Sequence, residues 1–75
     1  MTVGYMGETV AVQPYRIWQS IVEERQKEGQ HLVSREFMRK RYLMAGYGPE
    51  KAKKWIDLYV KEFAIEEKHG LIRLW

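Results

Sequence analysis

Apolar residues recur along this chain with three different spacings, and each spacing predicts an element. Ile17, Trp18, Ile21 and Val22 sit at i, i+1, i+4 and i+5, one stripe of a helix. Glu23, Glu24, Lys27 and Glu28 lie mostly off that stripe. Pro14 suits a first helical turn, where its missing N–H costs nothing. Gly29 is a natural stop, because it takes the left-handed conformation without penalty. The first helix is therefore predicted over about 14–28. Ser34 is a good N-cap for a second helix over about 35–45, with Glu36 suiting the positive helix end. Phe37, Met38, Tyr42, Met44 and Ala45 supply its apolar face, with Arg35, Arg39 and Lys40 largely opposite. Gly46-Tyr47-Gly48-Pro49 breaks the chain. Ala52, Trp55, Ile56, Tyr59 and Phe63 then repeat on one face, predicting a third helix over about 49–62.

The last thirteen residues change period. Two apolar-rich runs flank Lys68-His69-Gly70, which predicts a hairpin with a three-residue loop and a left-handed Gly70. In the second run Ile72 and Leu74 share one face, while Leu71, Arg73 and Trp75 share the other. A lone hairpin is not stable in water, so one face must pack on the helices. Gln30-His31-Leu32-Val33 is a connector or a very short strand. Residues 1–12 stand apart as an arm or short strand, with Gly4 and Gly7 breaking regular structure before Thr9-Val10-Ala11-Val12. The domain proper is expected over 13–75. A strand at 1–12 paired across a dimer would give the chain a second core.

The predicted order is helix, short extended piece, helix, turn, helix, hairpin. The run Trp55-Ile56-Asp57-Leu58-Tyr59-Val60-Lys61-Glu62-Phe63-Ala64-Ile65-Glu66-Glu67-Lys68-His69-Gly70-Leu71-Ile72-Arg73-Leu74-Trp75 leads from the third helix through a glycine into the hairpin. Over residues 14–75 the chain resembles the winged helix-turn-helix superfamily. The fold expected is mainly α with a C-terminal β-hairpin, a three-helix winged helix-turn-helix. The resemblance implies a third helix in the major groove of double-stranded DNA and a wing on the neighbouring backbone. It implies contact by Lys51, Lys53 and Lys54, with Lys61 further along the same helix. Arg35 would clamp phosphate from the start of the second helix, and Arg39, Lys40 and Arg41 would extend that clamp or face elsewhere. Lys68, His69 and Arg73 are the polar groups of the wing. The short wing, the Gly- and Pro-rich turn at 46–49 and residues 1–12 depart from the superfamily's pattern.

Charge changes this picture more through its distribution than its total. The formal net charge is +3 over 75 residues, but residues 1–33 sum to −1 and residues 35–54 to +5. Such asymmetry points to a polyanion-facing surface. Its bland counterpart is a solvated helix face, supported by i, i+4 pairs such as Glu50–Lys54 and Asp57–Lys61. Arg41 lies towards the apolar side, where it snorkels over the core or pairs with a carboxylate. Among the aromatics, Trp18, Trp55, Tyr59 and Phe63 fall on buried stripes. Tyr47, in the turn, is the one expected to be exposed and near nucleic acid. Trp75 closes the core from the wing or forms a patch with Tyr5 and Met6.

Several classes of function are not expected. The chain has no cysteine, and its two histidines lack ligand spacing, so neither a disulfide nor a metal site is anticipated. No nucleophile–base pair or Gly-rich phosphate loop stands out, so neither catalysis nor a cofactor is expected. No run approaches the ~20 apolar residues of a membrane span, and no basic start leads into an apolar run, so a soluble intracellular protein is expected. The leading expectation is a small DNA-binding protein, a regulator or accessory factor that binds as a homodimer or beside a larger protein. The alternative is a protein-interaction module on the same scaffold, such as a small inhibitor or assembly subunit.

Overall fold

The computed structural model describes residues 12–75. Pro14 opens α1 (Pro14–Glu28), which ends where Gly29 turns left-handed at φ 70°. There the Gly29 N–H donates to the Gln26 carbonyl at 3.1 Å and the Gln30 N–H to that of Arg25 at 2.9 Å. This paired closure satisfies two carbonyls that a helix end otherwise leaves unpartnered. The chain then forms β1 (Leu32–Ser34) and enters α2 (Arg35–Met44). The Ser34 hydroxyl accepts from the Phe37 N–H at 3.0 Å, the N-cap bond its sequence position predicts. The Gly46–Pro49 turn leads to α3 (Pro49–Phe63), then to β2 (Glu66–Lys68) and β3 (Leu71–Arg73).

The three strands form one antiparallel sheet in the order β1-β3-β2. Val33 pairs with Ile72, and Ile72 pairs with Glu67. The fold is thus mainly helical with a C-terminal hairpin whose inner strand also pairs with β1. This is the layout of a winged helix. The hairpin turn is shorter than expected: Lys68 and Leu71 are paired, leaving His69 and Gly70 as a two-residue loop. Both have positive φ, 51° and 77°, the signature of a type I′ turn, whose twist matches that of the flanking strands. Lys68 therefore belongs to the strand.

One core joins all three helices and the sheet. Ile17, Trp18 and Ile21 of α1 meet Met38 and Tyr42 of α2, Ala52, Ile56 and Tyr59 of α3, and Val33, Ile72 and Leu74 from the sheet side. Tyr42 is fully buried, and its hydroxyl donates to the Pro14 carbonyl at 2.9 Å. Ile72 and Leu74 supply the hairpin's buried face, as their alternation predicts. Trp75 packs at the edge of this core and lies 4.6 Å from the His31 ring. The arm or strand over 1–12, its pairing across a dimer and the Trp75 patch with Tyr5 and Met6 fall outside the described residues, apart from Val12.

Three apolar expectations change. Met44 is 82% exposed. It lies six residues beyond Met38, roughly 240° round the helix, and so faces away from the core. Phe63 is in phase with the stripe yet 51% exposed, because it is the last residue of α3. It leans on Tyr15 and Tyr59, with ring centroids 5.6 and 5.8 Å away. Tyr47 is only 7% exposed, against the expectation of an exposed aromatic. Its ring meets Tyr42 edge-on at 5.6 Å, and its hydroxyl donates to the Val12 carbonyl at 2.7 Å. The turn folds it back under the start of α1, which removes Tyr47 as a stacking platform for a nucleic-acid base.

Candidate nucleic-acid interface

The residues singled out for contact lie on α3, the neighbouring flank of α2 and the hairpin. The core stripe of α3 runs through Ala52, Ile56 and Tyr59. Its helical period therefore leaves Lys51, Lys54 and Lys61 on the outward side, all exposed. Lys54 carries its ammonium 5.5 Å from the centroid of the half-buried Trp55 ring. Lys51, Lys54 and Trp55 border an open groove of about 1040 Å³ that runs to Val12 and Pro14 at the start of α1. On the α2 side, Arg35, Arg39, Lys53, Glu50, Pro49 and Ile56 line a smaller cleft of about 370 Å³. Lys68 and Arg73 are exposed on the hairpin, and Lys40 is exposed on α2.

Arg35 sits at the junction of these surfaces. Its Nε and Nη2 donate to the two oxygens of Glu67, each at 2.8 Å, and its Nη1 lies 2.7 Å from Asp57 Oδ1. Lys53 holds the other Asp57 oxygen at 2.7 Å. The guanidinium therefore joins the start of α2 to the middle of α3 and to β2. The bond from Lys53, with help from Arg35, holds the Asp57 carboxyl below its ordinary pKa. The bonds from Arg35 hold Glu67 below its own. Those same bonds, Glu67 first, raise the pKa of Arg35.

The sign for stability follows from the two lowered carboxyls. Their stabilisation is complete above the unfolded pKa, about 4, and fades as pH falls through the lower folded values. Thermal unfolding followed by circular dichroism is expected to show a falling midpoint below about pH 4. The Glu67→Gln and Asp57→Asn pair of substitutions should flatten that fall; an unaltered acid slope would contradict the assignment.

Three-dimensional pairing thins the basic patch read from the sequence. Arg41 donates to both oxygens of Glu24, at 2.9 and 2.8 Å, so it pairs with a carboxylate as one of its two expected fates. Arg39 lies 3.5 Å from Glu36. Of the seven bases at 35–54, Arg35, Arg39, Arg41 and Lys53 have carboxylate partners. Lys40, Lys51 and Lys54 have none within 4.0 Å among the described residues. The i, i+4 pair that forms on α3 is Lys53–Asp57, in place of the expected Glu50–Lys54 and Asp57–Lys61. Counting Glu24, Asp57 and Glu67, which the fold brings in from outside that window, the local excess is about two charges rather than five.

The sequence reading missed Glu67 and Asp57 as partners of Arg35. Thirty-two residues separate Arg35 from Glu67, so no local spacing could announce the pair. His31, in the connector before β1, places its Nδ1 2.9 Å from the Trp75 backbone oxygen. Among the described residues, no group of three or more acidic or histidine side chains is placed to hold a metal ion. No helix there is long and apolar enough to cross a membrane. No protein-family model, curated protein or solved structure matches this chain.

Proposed function

We propose that this chain is a small DNA-binding protein that grips duplex DNA with α3 and the hairpin, as a regulator or accessory factor. The observation that carries the reading is the set of exposed lysines on α3 that lack a carboxylate partner among the described residues, Lys51, Lys54 and Lys61, on the helix that a winged-helix layout turns outward. A lysine is a point charge on a flexible stem, suited to phosphates more than to bidentate base reading. Affinity should accordingly be dominated by the backbone, with modest sequence preference. Binding to a labelled duplex, followed by anisotropy, should weaken steeply as salt rises, because each neutralised phosphate releases counterions. One module of this size has limited affinity and specificity, which favours a dimer or a larger protein partner on DNA.

A second reading is a protein-interaction module. Tyr15, Leu58, Phe63 and Ile65 are all exposed, and Tyr15 and Phe63 are in mutual contact at the end of α3. Apolar side chains gathered on a surface mark a docking region when the patch is large enough. Pull-down with and without nuclease separates the two readings, since partners that survive nuclease support this one.

A further inference from the structure

We propose that Arg35 is a positioning residue: it fixes the hairpin against α3, and does not act as the phosphate clamp its sequence position suggests. The functional consequence rests on the duplex-binding reading, whereas the clamp itself is a property of the free protein.

The strand β2 is Glu66-Glu67-Lys68 and has no apolar side chain to bury. The hairpin's core residues, Ile72 and Leu74, both come from the β3 side. The outer strand is thus tied by its ladder to β3 and, through Glu67, to Arg35. Of the ion pairs among the described residues, Arg35–Glu67 alone joins the hairpin to a helix. The backbone adds a second tie at the same place: the Arg35 N–H donates to the Gly70 carbonyl at 2.8 Å. One residue thereby holds both the strand and the turn.

Only arginine fits this role. Two parallel N–H donors meet Glu67 while a third nitrogen reaches Asp57 on α3. A lysine ammonium is a single point and cannot span both carboxylates with the same planar fork. Charge balance argues the same way. Arg35 and Lys53 together offset Asp57 and Glu67, so the cluster presents no net charge to a phosphate. Its contribution to binding is preorganisation: Lys68 and Arg73 on the hairpin are held in fixed relation to Lys51, Lys54 and Lys61. Loosening the hairpin would add an ordering cost on binding without removing a phosphate contact.

The test uses the full chain carrying Arg35→Met, Arg35→Lys or Glu67→Gln. In the free protein, amide exchange should speed up by about tenfold in β2 and the hairpin turn for all three variants, the effect of losing charged hydrogen bonds. Exchange in α1 should stay near the parent value. Hairpin amides that exchange as in the parent would overturn the clamp. If Arg35→Met fails to fold, Glu67→Gln carries the comparison. On duplex DNA, Arg35→Met should bind several-fold more weakly with the parent's salt slope. A slope shallower by about 0.9 would show Arg35 on a phosphate and overturn the positioning role. A parent chain that binds no duplex would remove the DNA-binding reading, and the exchange result would still decide the clamp.

Discussion

Replacing Lys51, Lys54 and Lys61 together by alanine is expected to remove most of the salt sensitivity of duplex binding. Each phosphate contact contributes about 0.9 to the slope of log affinity against log salt, so three contacts contribute about 2.7. Between 50 and 200 mM salt, that slope amounts to about a 40-fold change in affinity that the variant no longer shows. The fold should survive, because all three lysines are exposed. Alanine is also the best helix former. The Lys53–Asp57 pair is left in place. Asp57 keeps its bond to Arg35. Anisotropy titrations of parent and variant at the two salt concentrations, with circular dichroism to verify folding, make the comparison. A variant with the parent's affinity and slope would clear α3 of any part in binding.

The largest effect on stability is expected at Tyr42. Its ring is fully buried between the helices, meets Tyr47 edge-on and ties α2 to the first turn of α1 through the Pro14 carbonyl. Tyr42→Ala leaves a cavity as well as losing that contact, a change that typically costs about 3–5 kcal/mol for large aromatic residues. A domain of this length has a total stability of about 4–11 kcal/mol, so the variant should be largely or wholly unfolded at the lower end of that range. Tyr42→Phe keeps the ring and removes only the hydroxyl, with an expected loss of about 1 kcal/mol. Urea unfolding of the two variants measures both numbers. Equal losses would show that the hydroxyl matters more than the ring, contrary to the packing described.

The helices could be read from the sequence because local chemistry marks their ends. Pro14, Gly29, Ser34 and the Gly46–Pro49 turn each impose a conformation without help from distant residues. The alternation that put Ile72 and Leu74 on one face was equally local, and both are buried. Failures came where position along an element or contact across the fold decides the outcome. Phe63 has the correct helical phase but stands at the end of α3. Tyr47 looked like a turn residue and is instead drawn inward by Val12 and Tyr42, thirty-five and five residues away. The basic patch is thinner than its window sum for the same reason. A window over 35–54 cannot see Glu24, Asp57 or Glu67, yet the fold brings all three against its arginines. The lysines left without a carboxylate partner among the described residues are fewer: Lys51, Lys54 and Lys61 on the outward side of α3, and Lys40 on α2.

Whether that remaining surface meets phosphate is decided by duplex binding of the unmodified chain at two salt concentrations. Lys40, Lys51, Lys54 and Lys61 are exposed and have no carboxylate partner among the described residues, and engagement of three or four phosphates gives a slope of about −3 to −4. Binding in roughly the micromolar range at low salt is expected, with affinity falling along that slope. Absence of binding at low salt, or an affinity indifferent to salt, would contradict the DNA-binding reading.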